Sequence, residues 1–394
     1  MSMLCIAMGE AFALQGGIFE SDDPVKFVAD TEYKFNSNLF MLPNGVNPKG
    51  PGSERSDSIL TSHIGVQIHK DYGMQHFDFS YAHVNTKFAN STFMDFDADN
   101  YQAHWLASIT PALTADLLAR QESGLRSPEF YGATAPTTSK QLYTTQAKGV
   151  VFDFSPNQIG HVYGGYTNRS NTSTGQADAD YNQSADELMA GVGYQFSSGT
   201  LIKLIYQDLN GTQPLSAYYQ IGQNYNQSKT DLSIAWPISG RSNLTASLGY
   251  GAKNDEMNAA RNYAGLVGSI EYERKFNESS SLDLQYVHRL DVYQTQTISH
   301  AEIDALTLSG NWVMTPKFKM KLAITADHRQ YPTLPTFTQS VREDNNLHCS
   351  LDATWQATEK VKLRTLLERA QRHSNDVDFV YEANLASVYA EINI

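Results

Sequence analysis

Three groups of residues in this chain are of the right types to do chemistry: serines near a histidine, histidines near acids, and pairs of basic residues spaced two apart. His161 follows Ser155 by six positions and precedes Ser170 by nine. A Ser–His pair would supply a nucleophile and its base, as a membrane-embedded phospholipase requires. The chain has no Gly-x-Ser-x-Gly elbow, no His-Glu-x-x-His helix motif and no phosphate-binding loop. With 11 histidines present, chance neighbours are expected, and His161 reads as a strand or turn residue. His300-Ala301-Glu302 and the acids from Asp180 to Glu187 have cation-binding residue types but read as solvated loop charge. The two cysteines, Cys5 and Cys349, lie far apart and make no thiolate metal cluster; if Cys5 is removed with the N-terminus, Cys349 has no partner. No catalytic residue, metal site or cofactor is expected, and the chain does not read as an enzyme.

The basic residues are more informative. In Phe318-Lys319-Met320-Lys321-Leu322-Ala323-Ile324-Thr325-Ala326-Asp327, even positions are apolar and odd positions are charged, small or hydroxylated. The same alternation runs through Leu244 to Gly251, Leu282 to Tyr286 and, with the phase reversed, Leu347 to Trp355. Period two places successive side chains on opposite faces of a β-strand. On that reading Lys203, Arg289, Lys319, Lys321, Lys362 and Arg364 share the polar face with Asp283, Asp327, Asp352 and Glu368.

Strand-like segments of about 10 to 15 residues are separated by two kinds of break. Short ones recur at Asp71-Tyr72-Gly73, Thr110-Pro111-Ala112, Ser155-Pro156-Asn157, Ser197-Ser198-Gly199, Ser239-Gly240-Arg241, Asn277-Glu278-Ser279, Thr315-Pro316-Lys317 and Glu359-Lys360. Their residues favour tight turns, and their spacing is about 38 to 45 residues. Between them lie longer polar stretches such as Asn38 to Asp57, Asn168 to Ala179, Asn210 to Gln223 and Gln330 to Asp344. Short turns alternating with long loops are the signature of a bacterial outer-membrane barrel, turns on the periplasmic side and loops outside. The tally predicts an all-β fold: a single antiparallel up-and-down transmembrane β-barrel of about 18 strands, with about 16 as the alternative count.

Composition agrees. Charged residues make up 18% of the chain and mean hydropathy is −0.41, and no window is apolar enough for a membrane-spanning helix. A barrel tolerates such polarity because only alternate residues face lipid. A β-propeller would put four strands in each repeat of this size, where the chain has two, and a sandwich would use shorter strands and more Val and Ile. The net charge of −13 argues against nucleic-acid partners. Aromatics cluster before the short turns, at Phe152, Phe154, Tyr194, Phe196, Trp236, Trp312 and Trp355, where a periplasmic girdle would sit. At the N-terminus, Met3 to Met8 is a short apolar run and Ala11-Phe12-Ala13 fits a small-x-small cleavage pattern. The organisation expected is a truncated signal peptide over 1–13, a short periplasmic segment over 14–24, and the barrel over 25–394.

A family resemblance rests on several short pieces in order. Asn36-Ser37-Asn38-Leu39-Phe40-Met41-Leu42-Pro43 follows the first strand, and Arg55-Ser56-Asp57-Ser58-Ile59 opens the second. Arg329-Gln330-Tyr331, Arg342-Glu343-Asp344, Arg369, Asp376 and Tyr381-Glu382-Ala383-Asn384 follow near the C-terminus. From about Asp23 onward the chain resembles the EpsL family of outer-membrane barrels encoded in exopolysaccharide biosynthesis operons. The resemblance implies export of an extracellular polysaccharide, with outer-membrane lipid around the barrel and a polysaccharide export protein as partner. One departure is Ile394, where barrels of this kind usually end in an aromatic residue.

Under that reading the lumen candidates for contact with a polysaccharide, an acidic one included, are Lys203, Arg289, Lys319, Lys321, Asp327, Asp352, Lys362, Arg364 and Glu368. The competing reading is that these charges pair with one another and stiffen the wall. Tyr101, Tyr163, Tyr166 and Tyr286 would stack on sugar rings if they lined the lumen, but most lie on the apolar phase. Two other functions fit the same barrel: a general or substrate-selective diffusion porin, and a surface scaffold that transports nothing. A porin needs a constriction, and no loop in the sequence stands out as long enough to supply one.

Overall fold

The computed structural model describes residues 24–48, 54–125, 142–174, 182–214, 224–293, 295, 297–335, 337 and 340–393. The first eight strands are β1 (Val25–Asn36), β2 (Asp57–Tyr72), β3 (Gln75–Phe88), β4 (Phe96–Thr110), β5 (Leu113–Leu125), β6 (Leu142–Phe154), β7 (Gly160–Ser173) and β8 (Gln183–Gln195). Five more follow: β9 (Leu201–Thr212), β10 (Asn224–Ser239), β11 (Ser242–Asp255), β12 (Tyr263–Asn277) and β13 (Ser280–Val292). The last are β14 (His300–Thr315), β15 (Phe318–Tyr331), β16 (Arg342–Gln356), β17 (Val361–Ser374) and β18 (Tyr381–Asn393). Each pairs antiparallel with its sequence neighbours in one 18-stranded sheet, and β1 also pairs with β18, Val28 opposite Asn393 through Asn36 opposite Leu385. The sheet closes on itself, so no strand edge is left to meet lipid. This is the expected up-and-down barrel, at the higher of the two strand counts.

Closure makes the period-two pattern physical. Residues directly opposite in an antiparallel pair point to the same face, so the register carries one phase around the whole wall. Leu232, Leu248, Leu266, Ile270, Leu284, Leu306 and Val192 belong to the outward phase and are 42–62% exposed. The other phase holds Asp30, Glu32 and His63, each under 10% exposed, because side chains converge on the concave face. An apolar convex belt around a polar interior is the pattern of a barrel in the bacterial outer membrane, which is where this chain resides.

The lower edge of the belt is aromatic. Tyr194, Phe196, Trp236, Phe276, Trp312 and Trp355 are all at least 40% exposed beside the short turns. At its upper edge, tyrosine hydroxyls reach outward-facing acids: Tyr81 donates to Asp99 at 2.8 Å, Tyr286 to Asp304 at 2.5 Å, and Tyr166 to Asp186. The ring stays in the apolar layer and the hydroxyl leaves it. Strands of 12–16 residues exceed the 9–11 or so that a bilayer requires, and the surplus carries outward polar residues such as Asn85, Asn168 and Asn226. The eight predicted turn sites all join strands, and Gly73 (φ +59°) and Gly199 (φ +85°) supply left-handed backbone in two of them. Two expected loops begin later than the sequence suggested, because β7 runs on to Ser173 and β9 to Thr212. The proposed signal peptide and Ile394 lie outside the described residues.

Candidate functional site

The inner wall is the candidate site, and the register decides which side chains reach it. Lys319 and Lys321 lie on the phase of Asp327, with Thr354 and Asp352 opposite them on β16. Arg364 faces Thr354, and Lys362 faces Gln356. Arg289 shares its phase with Ile303 and Arg329, Glu368 is opposite Ser350, and Lys203 is opposite Gly193 and Ser233. All nine sequence candidates therefore line the lumen.

They divide by partner. Arg289 Nε meets Asp291 at 2.9 Å, and Asp327 takes Arg329 Nε at 2.6 Å and Asn346 Nδ2 at 2.7 Å. Asp352 takes Arg364 Nη2 at 2.5 Å, Lys362 meets Glu391 at 2.6 Å, and Glu368 is 3.5 Å from His348. These pairs brace the wall. Lys203 instead lies over the Tyr163 ring, 5.3 Å from its centroid. Among the described residues Lys319 and Lys321 have no carboxylate within 4.0 Å, because the acid facing Lys321 is taken by Arg364. On the periplasmic half of β15 two ammonium groups outside any ion pair thus stand two residues apart on the lumen face.

The rest of the wall is zoned. On β2 to β5 a chain of imidazoles and carboxylates runs round the periplasmic half: His76 with Asp71 (2.6 Å), Asp71 with His69 (3.6 Å), His69 with Asp78 (2.5 Å), Asp78 with His104 (3.9 Å) and His104 with Asp116 (2.8 Å). His161 with Asp153 (3.0 Å) on β7 and β6 and His63 with Asp30 (2.5 Å) on β2 and β1 extend the arc. Glu271 and Glu273 on β12 and Asp283 on β13 form an acidic zone. Sequence reading missed the histidine–aspartate arc, although His69, Asp71, His76, Asp78, His104 and Asp116 all sit on the polar phase of their strands. The signal was present; which acid met which histidine depended on register.

Of the four tyrosines weighed as sugar contacts, Tyr101, Tyr166 and Tyr286 are on the outward phase and only Tyr163 faces the lumen. His161 bonds Asp153 and neither Ser155 nor Ser170, so the nearby serines form no activated pair. His300 is 3.6 Å from Glu302 and stacks on Tyr263 at 4.3 Å. Glu187 pairs with Arg169 at 3.1 Å, while Asp186 is on the outer face. Among the described residues no group of three acids, histidines or cysteines could hold a metal.

The extracellular mouth is narrowed by a loop that sequence reading did not expect to fold inward. Between β1 and β2, Leu39, Phe40 and Leu42 are buried against Phe88, with Ile59, Phe93 and Met94 around them. Ile59 and Phe88 are opposite one another on the lumen phase, so the loop packs onto the inner wall. Arg55 fixes it by donating to the carbonyls of Pro43 (2.6 Å), Leu42 (2.8 Å) and Val46 (3.1 Å). Asn38, 1% exposed, donates to Leu42 and Glu382 carbonyls and accepts from Leu42 N–H. Asp57 accepts from the N–H groups of Ser58, Asn90 and Ser91.

On the neighbouring stretch of the rim, beyond β18, Arg342 is clamped to Asp344 at 2.7 Å and lies 3.5 Å from the Phe379 centroid and 3.9 Å from that of Tyr331. Arg372 approaches the same carboxylate at 3.7 Å and lies over Tyr381 at 5.0 Å. Asn38, Arg55, Asp57, Tyr331, Arg342, Asp344 and Tyr381, which carried the family resemblance, thus build two knots on the extracellular rim.

No protein-family model and no curated protein sequence matches the chain. Solved structures do. The Pseudomonas aeruginosa protein OccK2 (OpdF) superposes with a TM-score of 0.53 at 12% identity, covering 94% of this chain and 98% of its own. A BenF-like porin from Pseudomonas fluorescens Pf-5 gives 0.53 at 10% identity over 94% and 99%. OccK9 (OpdG) of P. aeruginosa gives 0.51 at 12% over 94% and 98%. At such identities the likeness establishes the barrel and nothing finer.

Proposed function

We propose that this chain is a solute-selective diffusion channel of the outer membrane, favouring small anions. The observation that carries this reading is the pair Lys319 and Lys321, two lumen ammonium groups with no acid partner within 4.0 Å among the described residues. Unpaired like charges on a pore wall concentrate the opposite ion and repel their own kind, within a screening length of about 8–10 Å at physiological salt. A wall built only for stiffness would have neutralised them, as it does Arg289, Lys362 and Arg364. The inward loop at Leu39–Leu42 supplies the narrowing a selective channel needs. The likeness to a BenF-like porin supports the same reading, and OccK2 (OpdF) has also been solved in complex with glucuronate, a carboxylated sugar.

The test is conductance. Reconstituted in a planar bilayer under a salt gradient, the protein is expected to form anion-selective channels. In a Lys319→Gln/Lys321→Gln variant the reversal potential should move toward cation selectivity. Absence of channels, or a reversal potential indifferent to the substitution, overturns the proposal.

A second reading retains the EpsL resemblance: a barrel partner in exopolysaccharide export. It is favoured by the convergence of the resemblance-bearing residues into the rim knots around Arg55 and Arg342, where a polymer or partner would be met. Deleting the gene and measuring surface polymer discriminates the two. Loss of polymer supports export, and unchanged polymer with altered small-anion uptake supports the channel.

A further inference from the structure

Two strands from the lysine pair the lumen carries the opposite charge, and the two sides do not neutralise each other. Asp283 on β13 lies across from Glu273 on β12, and Glu271, next along the same face, lies across from Gln285. Glu273 is engaged by Lys275 at 3.6 Å and by the Asn243 amide at 2.8 Å. Among the described residues Glu271 and Asp283 are in no ion pair, and Asp283 accepts a hydrogen bond from the Asn311 amide at 2.8 Å.

Between these acids and the lysines stands β14, whose lumen residues Thr307, Ser309 and Asn311 are uncharged. Asn311 is directly opposite Lys321 on one side and Ser281 on the other, and it donates to Ser281 at 3.2 Å as well as to Asp283. It thereby holds the carboxylate on the β13 side of the strip. Thr307 bonds Thr325 of β15 at 3.0 Å and continues the neutral surface. Adjacent strands are about 4.8 Å apart, so about 10 Å of wall separates β13 from β15, comparable with a screening length of about 8 Å at physiological salt. Opposite charges that could not reach one another thus stand on either side of a floor of hydroxyls and an amide. Glu271 and Lys321 are exposed and Asp283 and Lys319 half-buried, so all four can meet a solute in the lumen.

A simple anion satisfies the lysines and is repelled by the acids; a simple cation does the reverse. A solute bearing a carboxylate and an ammonium several ångströms apart satisfies both ends and rests its middle on β14. We propose that the channel prefers such zwitterions, of the type of short peptides and ω-amino acids, lying crosswise with the carboxylate at Lys319 and Lys321 and the ammonium at Asp283 and Glu271. This rests on the channel reading and narrows the carboxylate it favours to one that also carries an ammonium.

The probes are three solutes of one chain length at pH 7: 6-aminohexanoate with both charges, hexanoate with the negative one and 6-aminohexanamide with the positive one. Each is titrated into the planar-bilayer recording, and its half-saturating concentration is read from the solute-induced noise of the ion current. 6-Aminohexanoate is expected to saturate at a concentration about threefold or more below the other two, the effect of one exposed ion pair. Glu271→Gln/Asp283→Asn should bring it to the level of hexanoate and move the reversal potential further toward anions, while Lys319→Gln/Lys321→Gln should bring it to the level of 6-aminohexanamide. Glu271→Gln alone breaks no bond of the wall and should give part of the loss; heat-shifted gel mobility checks that each variant is folded. Equal saturation by 6-aminohexanoate and hexanoate in the parent, or an advantage that survives in folded Glu271→Gln/Asp283→Asn, overturns the inference, and the channel reading stands if anion selectivity persists. If the barrel does not conduct, the channel reading falls, and saturation-transfer NMR in detergent micelles with the same solutes decides the inference separately. A zwitterion preference abolished by the acid variant upholds the crosswise site, and its absence refutes it.

Discussion

Arg342 and Lys319 are both inward basic residues, and their surroundings give them opposite roles. Arg342 is sandwiched between rings and joined to an Asp344 that is 0% exposed. Removing it leaves a buried carboxylate with the Ser374 hydroxyl (2.6 Å) and, as its one remaining cation among the described residues, the more distant Arg372, so Arg342→Ala should cost about 3–5 kcal/mol, read as a lower denaturant midpoint of the refolded barrel. Lys319→Gln should change stability by no more than about 0.5 kcal/mol, because it breaks no pair. In the arc from Asp71 to Asp116 three carboxylates line the lumen beside imidazoles. A mutant with Asn at Asp71, Asp78 and Asp116 removes that negative charge from the pore wall, and its reversal potential under a salt gradient should move further toward anion selectivity. Which residues face the lumen was legible in the sequence, since alternation alone puts Lys319, Lys321 and Arg364 on one side. Which of them are paired was not. Asp352 lies directly across from Lys321 yet closes on Arg364, a choice made by side-chain reach between three strands.

At the level of strands, turns and loops, strands and turns are local and loops are not. A strand in this wall is specified by its own period and a turn by its own Pro, Gly or Asn, so the eight turn sites and the alternating pattern could be read directly. The loop after β1 has no period. Its Leu39, Phe40 and Leu42 look like stray apolar residues in a polar stretch until Ile59 and Phe88 are placed beneath them. The inward fold depends on contacts with β3, roughly fifty residues away. Phe40→Asp should strip this packing and free the loop. The expected result is a higher single-channel conductance and new protease cleavage between Leu39 and Arg55, with the wall unchanged by circular dichroism. Equal conductance would mean that the loop does not limit flow.

The whole molecule is governed by the belt and by closure. Leu248 is on the outer face of β11, opposite Leu232 and well inside the belt. An arginine there should destabilise the folded barrel in lipid by about 2–4 kcal/mol, whereas the same change at outward Asn226, above the belt, should cost about 0–1 kcal/mol. Chemical unfolding from vesicles distinguishes the two. The strand count was legible because turns and loops had to alternate and end on the same side. The pairing of β1 with β18 was implied by that count but had no residue signal of its own.

That pairing makes the cylinder's seam out of its first and last strands. Until the stretch from Tyr381 to Asn393 has arrived, Val25 to Asn36 has a bare flank and so does β17. A nascent or C-terminally clipped chain is therefore an open ribbon with two adhesive borders, which must be escorted rather than left to insert alone. The zipper's final tooth decides whether there is a vessel at all.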